Sequence, residues 1–192
     1  MIRTSDTTAL ILSGGRSSRM GSDKAFLTIH GVTFIQRLLT LASSIFPYTV
    51  ISAKEVGKYA DFGVPVIADD VTDAGPLAGI HACMIRTNTP FLFVLTCDVP
   101  MISGEVLRHV LQHAHEDEVT LIGTGQDRPL LCGVLPRLME PALSEALRRG
   151  KHRVLSVLMR GKHTVLNCAA YSDCLVGVNT REEYERLPGS TW

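Results

Sequence analysis

The chain has 192 residues, of which 45% are hydrophobic and 20% charged, a size and composition that suit one folded domain over residues 1–192 with a sizeable core and exclude a disordered chain. Lysine plus arginine and aspartate plus glutamate number 19 each, so the net charge is zero. That balance leaves no electrostatic footprint for nucleic acid or an anionic membrane, and any bound anion must be held by a local group of residues. No apolar run approaches the roughly 18 residues that span a bilayer, and the first residues lack the layout of a signal peptide. The cysteines, Cys83, Cys97, Cys132, Cys168 and Cys174, are scattered with no C-x-x-C pair, which points to reduced thiols and a cytoplasmic setting.

In chain order, residues 8–12 form an apolar run that reads as a buried strand. It stops at Ser13-Gly14-Gly15, followed by Arg16, Arg19, Gly21 and Lys24. Glycines let backbone approach a ligand, successive N–H groups form an anion-binding concavity, and the arginine fork and lysine point charge add fixed positive charge. In chemical terms this is a polyphosphate grip. The spacing satisfies neither the G-x-x-x-x-G-K-[ST] phosphate loop nor the G-x-G-x-x-G fingerprint, and the plain alternative is a glycine-rich turn with stray basic residues. Residues 26–29 suit a short strand turned by His30-Gly31. Residues 33–46 carry a helical apolar stripe that Pro47 ends.

A second strand is expected at 48–51, before Ser52-Ala53, then a short helix at 55–59 and a third strand at 64–67 running into Ala68-Asp69-Asp70. Pro76 opens a helix that reaches Arg86. Residues 91–95 are unbroken apolar, a strand covered on both faces, and lead into Thr96-Cys97-Asp98-Val99-Pro100. Ser103 caps a helix to about residue 115, with Glu105 in its first turn. Strands at 119–122 and 131–135 flank Gly123-Thr124-Gly125. A helix over 141–149 closes at Gly150, 154–159 is helical, and a late strand is expected at 165–171. The last helix, 180–186, opens with a capping box, Thr180 and Glu183.

Strands alternating with helices over the first two thirds predict a mostly parallel sheet with helices on both faces. Ligands of such sheets sit beyond the carboxyl ends of the strands. The expected strands end at Gly14-Gly15, Ser52, Asp69 and Asp98, so polar clusters far apart in sequence converge on one rim. A carboxylate such as Asp98 at a strand end suits Mg²⁺, which takes one or two carboxylates plus substrate phosphates, although aspartate is also a common turn residue. Asp69 and Asp70 are adjacent and point opposite ways, so one of them, taken as Asp69, faces the rim; Asp73 is assigned to the stretch before Gly75. Gly75-Pro76-Leu77-Ala78-Gly79 presents bare backbone to a base or ribose, or is plain helix-start chemistry. His109 and His113 share a helix face without a third ligand and read as a solvated face, as does His115. Arg148, Arg149, Lys151, His152 and Arg153 form a basic run that is either solvated surface or a contact for a second anionic substrate. Nothing resembles a Ser/His/Asp or Cys/His nucleophile.

Taken together, L-S-G-G-R-S-S-R-M-G-S-D-K, I-A-D-D, G-P-L-A-G-I, T-C-D-V-P and V-N-T-R-E-E resemble the molybdenum cofactor guanylyltransferase family, in the right order over nearly the whole chain. The resemblance implies a three-layer α/β/α sandwich with a mostly parallel sheet, of the nucleotide-diphospho-sugar transferase type. It implies a cytoplasmic enzyme that uses GTP, molybdopterin and Mg²⁺ and makes the guanine dinucleotide form of the cofactor; a monomer is expected, with molybdoenzyme delivery proteins as further partners. It places the family's nucleotide site on Leu12, Ser13, Gly14, Lys24 and Asp69, its metal-binding aspartate on Asp98 and an asparagine near the C-terminus on Asn179; the loop, rim and helix-start readings above add Gly15, Ser52 and Gly79 as nucleotide contacts. The metal falls on Asp98, and catalytic charge on Lys24, Arg19 and Asp98. This chain departs from the family where Ser13 replaces the usual alanine, where Ser52 stands at a position often asparagine, and where Gly177 can be a second asparagine. The rivals are a cytidylyltransferase on the same scaffold, a non-catalytic molybdopterin carrier, and a sugar-phosphate nucleotidyltransferase, which generally needs a longer chain.

Overall fold

In the computed structural model, which describes residues 1–13, 23–69, 71, 74–125, 129–151 and 153–191, a 3₁₀ turn leads into β1 (Thr7–Leu12). The hairpin β2 (Thr28–Ile29) and β3 (Val32–Thr33) feeds α1 (Phe34–Ile45), β4 (Tyr48–Ala53), a 3₁₀ helix over Val56–Phe62, β5 (Val66–Ala68) and α2 (Pro76–Arg86). Then come β6 (Phe91–Thr96), α3 (Gly104–His113), β7 (Val119–Gly123), β8 (Leu130–Pro136), α4 (Glu140–Arg148), α5 (Val154–Leu158), β9 (His163–Asn167), a 3₁₀ helix over Ala169–Cys174, α6 (Arg181–Glu185) and β10 (Ser190–Thr191). No helix among the described residues is long and apolar enough to cross a membrane.

The large sheet has seven strands in the order β5-β4-β1-β6-β8-β7-β9. β5, β4, β1 and β6 are parallel neighbours. β8 runs against both β6 and β7, and β9 is parallel to β7, so β8 alone is reversed. Side chains alternate across a pleated strand, and the two sets feed separate cores. Ala9, Ile11, Phe93 and Leu95 pack under Ile35 and Leu38 of α1 and Val106 and Val110 of α3. Leu10, Val50, Leu92 and Val94 pack under Leu77 and Ile80 of α2, Leu143 of α4 and Val157 of α5. The unbroken apolar runs of β1 and β6 follow from this: a strand covered on both faces has no polar side to show. The result is the expected α/β/α sandwich with a mostly parallel sheet.

A third cluster joins the chain's two ends. Leu27, Ile29, Phe34, Val178, Tyr184 and Leu187 pack together beneath the small sheet β10-β2-β3. The Tyr184 hydroxyl donates to the Thr28 carbonyl at 2.6 Å. The capping box of α6 is present, with Thr180 accepting from the Glu183 N–H and the Glu183 carboxylate accepting from the Thr180 N–H.

Three expectations move. Residues 26–29 are not one strand: Asp23 caps a 3₁₀ turn over Lys24–Phe26 by accepting from the Ala25 N–H at 3.2 Å, and pairing begins at Thr28. The third strand starts at Val66 rather than at residue 64, because Pro65 has no N–H and offers only its carbonyl, which accepts from the Ile51 N–H at 3.0 Å. The late strand is His163–Asn167, not 165–171; the Asn167 side chain accepts from the Ala169 N–H at 3.0 Å, and that local turn ends the ladder.

Candidate functional site

β5, β4, β1 and β6 deliver their carboxyl ends to one edge of the sheet, and two clusters form there. In the first, Leu12 of β1 sits in register with Ser52 of β4, and Ser52 with Ile67 of β5. The buried Ser52 hydroxyl donates to Asp69 Oδ1 at 2.8 Å. Gly79 of α2 closes this group from above. A Cβ on Gly79 would fall on Ser52 Oγ, 3.1 Å from Asp69 Oδ1 and 3.2 Å from Leu12 Cδ2. Leu12, Ser52, Asp69 and Gly79 are thus one contact group: an apolar wall, bare helix backbone, and a half-buried carboxylate oriented by a hydroxyl. A carboxylate held in this way accepts N–H or O–H donors, the donors that a nucleoside presents.

The second cluster sits where β6 ends. Thr96 Oγ1 donates to Asp98 Oδ1 and lies 3.6 Å from Cys132 Sγ. The Asp98 carbonyl accepts from Val178 N at 2.7 Å, which brings the next residue, Asn179, onto the rim. Lys24 Nζ donates to Asn179 Oδ1 at 3.0 Å. Burial holds the Lys24 ammonium below its ordinary value, and the negative charge of Asp98 opposes that shift. A cation and a carboxylate therefore share this end of the rim, a setting for polyanion chemistry.

The donor set fits Mg²⁺. Among the described residues no group of three His, Cys, Asp or Glu could cage a metal, and Mg²⁺ does not need one, since it is bound through one or two carboxylates, water and substrate phosphate. Asp98 supplies a hard oxygen ligand of that kind.

Not every expected residue lines the rim with its side chain. Ser13 is buried, and its hydroxyl is bound to the Tyr59 hydroxyl at 2.6 Å while its N–H donates to the Ser52 carbonyl at 2.8 Å. That side chain is committed to the fold. Gly14, Gly15, Arg16, Arg19, Gly21, Asp70, Asp73 and His152 lie outside the described residues. In the basic run, Arg148 and Arg149 are tied to Glu145 of their own helix at 2.6 and 2.5 Å, the arrangement of a solvated face. His109 packs its ring against His113 and Tyr171. Burial pushes the Cys97 and Cys132 thiols up to about 12, so neither offers a thiolate near neutral pH.

Sequence reasoning passed over Thr96, Asp23 and Tyr59. Thr96 had a signal, since it closes an apolar strand two residues before Asp98. Asp23 had a weaker one, as a capping residue beside Lys24. Tyr59 had none, lying in a stretch that reads only as a short amphipathic turn.

A parallel rim carrying the Leu12, Ser52, Asp69 and Gly79 group at one end and a cation with a carboxylate at the other suits a nucleotidyltransferase of the α/β/α type. The match to the MobA-like NTP transferase domain extends over residues 9–165, and the chain belongs to that family. A probable molybdenum cofactor guanylyltransferase of Flavobacterium johnsoniae is 28% identical over 186 residues, covering 94% of this chain and 95% of its own. One from Pelotomaculum thermopropionicum is 31% identical over 148 residues, covering 77% of this chain and 72% of its own. Among solved structures, molybdopterin-guanine dinucleotide biosynthesis protein A from Archaeoglobus fulgidus superposes with a TM-score of 0.78 at 21% identity over 93% of this chain and 95% of its own, which shows a shared fold.

Proposed function

We propose that this chain transfers GMP from GTP to the terminal phosphate of molybdopterin, releasing pyrophosphate and forming the guanine dinucleotide cofactor. The reading is supported by the relatives named as guanylyltransferases. The observation that carries it is the paired arrangement on one rim: the Leu12, Ser52, Asp69 and Gly79 cluster for the nucleoside, and Lys24 with Asp98 and Asn179 for the phosphates.

A phosphate oxygen of molybdopterin forms a bond to the α-phosphorus of GTP. The bond from that phosphorus to the α,β-bridging oxygen breaks, and pyrophosphate leaves with the electron pair. A phosphate monoester is largely dianionic near neutral pH, so the attacking oxygen has no proton to give up and the protein need supply no base. The barrier lies in bringing two polyanions together, and that is a task for positioning and charge. Asp69 and Ser52 orient the base against Gly79. Lys24 opposes the phosphate charge, and the Asn179 amide fixes its ammonium. Asp98, oriented by the Thr96 hydroxyl, would hold Mg²⁺, which when bound neutralises triphosphate charge.

The test is pyrophosphate release on mixing the protein, Mg²⁺ and molybdopterin with GTP, and separately with CTP. Release with GTP at a higher kcat/KM than with CTP is expected. Release from CTP at an equal or greater kcat/KM would make the chain a cytidylyltransferase, and no release with either would make it a carrier.

A further inference from the structure

Ser13 and Asp23 are separated in the chain by the glycine- and arginine-rich stretch, yet one side chain from elsewhere touches both. Tyr59, in the 3₁₀ helix over Val56–Phe62, is buried at 2% exposure. Its hydroxyl oxygen lies 2.6 Å from Ser13 Oγ, and it donates to Asp23 Oδ2 at 3.2 Å. With the phenolic proton given to the carboxylate, the first contact has Ser13 as donor. The chain of bonds therefore runs Ser13 to Tyr59 to Asp23. The second oxygen of Asp23 accepts from the Ala25 N–H and caps the 3₁₀ turn that begins at Lys24. The ring itself is wedged beside Phe26, the last residue of that turn, with centroids 5.4 Å apart, and beside Phe62 at 6.1 Å.

We propose that Tyr59 is a positioning residue for Lys24: its hydroxyl clasps Ser13 to Asp23, and Asp23 in turn orients the short helical turn that aims the Lys24 ammonium at the triphosphate. The phenol is suited to the task because it holds one donor and one acceptor bond at once. Burial pushes its ionisation well above the ordinary tyrosine range, so the proton that the carboxylate accepts is present throughout the working pH. Phenylalanine would keep the ring contacts and remove only the clasp. The consequence for nucleotide binding rests on the reading of Lys24 as a triphosphate ligand; the consequence for Lys24 itself does not.

The experiment follows Lys24 directly. Wild type, Tyr59→Phe and Ser13→Ala are acylated briefly with an amine-reactive ester, and modification at Lys24 is read by peptide mass spectrometry against Lys54 and Lys58 as internal references. GTP affinity is measured in parallel by titration calorimetry. Tyr59→Phe is expected to raise Lys24 labelling over the references by about fivefold, the equilibrium equivalent of one ordinary hydrogen bond, and to weaken GTP binding by a similar factor. Ser13→Ala, which leaves the Tyr59 ring and the Asp23 bond in place, is expected to change labelling in the same direction by less. Should Tyr59→Phe fail to fold, Ser13→Ala carries the test alone. Lys24 labelling unchanged in the folded variants, or raised equally at all three lysines, overturns the proposal. Altered Lys24 labelling in a protein that does not bind GTP upholds the clasp and overturns the guanylyl reading instead.

Discussion

Replacing Gly79 with alanine sets two effects of opposite sign against each other. Glycine inside a helix costs roughly 0.5–1 kcal/mol relative to alanine, so on propensity alone Gly79→Ala in α2 should stabilise. The new Cβ, however, would fall on Ser52 Oγ and within 3.1 Å of Asp69 Oδ1 and 3.2 Å of Leu12 Cδ2. Ser52 is buried and sits in a paired strand, so it has little room to retreat. Overpacking of this kind costs about 1–3 kcal/mol, and displacing the hydroxyl also weakens its 2.8 Å bond to Asp69, worth about 1 kcal/mol. Packing wins: the variant should be less stable by about 1–2 kcal/mol in urea unfolding, a fall of roughly 2–8 °C in Tm for a chain of this size. Because Leu12, Ser52 and Asp69 are the residues displaced, GTP affinity should drop by at least about tenfold, the equivalent of ~1.4 kcal/mol. The double variant Gly79→Ala/Ser52→Ala removes the clashing oxygen and should recover much of the lost stability, a non-additivity expected only of residues in contact. A Gly79→Ala protein more stable than wild type, with unchanged GTP affinity, would refute this account of the pocket.

The remaining expectations concern the other end of the rim. Asp98→Asn keeps an oxygen for the Thr96 hydroxyl and so should leave stability within about 0.5 kcal/mol, while nucleotidyl transfer, measured by pyrophosphate release, falls on the order of 10²–10³-fold; near-normal turnover would remove Asp98 from the reaction. Lys24 must be charged to oppose phosphate, and burial lowers its ionisation from the ordinary lysine value. Activity should therefore be present below the Lys24 pKa and lost as pH rises through it, with the alkaline limb of kcat/KM for GTP lying below the ordinary lysine range; Lys24→Arg should move that limb upward out of range. Asn179→Asp places a carboxylate on the Lys24 ammonium and should weaken GTP binding by about three- to fivefold, the scale of an exposed charge pair, with the loss shrinking at high salt. An effect of that variant independent of ionic strength would point to packing instead.

What could be read from the sequence was what periodicity and punctuation encode. The doubly covered strands β1 and β6 declared themselves by unbroken apolar runs, and α2 by Pro76 at its first turn. The rim followed from strand polarity alone, which is why Ser52, Asp69 and Asp98 could be placed together across almost fifty residues of chain before any geometry was known. Side-chain bonds that divert the backbone left no comparable trace. Asp23 capping Lys24–Phe26 shortened an expected strand, and Asn167 turning onto Ala169 ended another, because one local hydrogen bond outweighs a run of suitable residues at an element's edge. The resemblance places Ser13 in the nucleotide site at a position where the family usually has alanine, and so says nothing of its hydroxyl; only the buried Tyr59, remote in sequence, shows where that oxygen is engaged.

The carboxyl-terminal corner explains how a cation and a carboxylate can share a rim and both remain useful. The Asp98 charge acts on the Lys24 ammonium, and a close ion pair would offer phosphate little net attraction. Here the Val178 N–H is bound to the Asp98 carbonyl and Asn179 reaches Lys24 Nζ at 3.0 Å, so a neutral oxygen is among the partners that orient the ammonium. An amide orients a lysine without cancelling its charge. That amide is delivered from the far end of the chain only because Tyr184 and Leu187 pack against Ile29 and Phe34, and the Tyr184 hydroxyl ties that corner to Thr28. The small third core is thus more than a closure of loose ends: it carries Asn179 to the edge of the parallel sheet on which Lys24 and Asp98 lie.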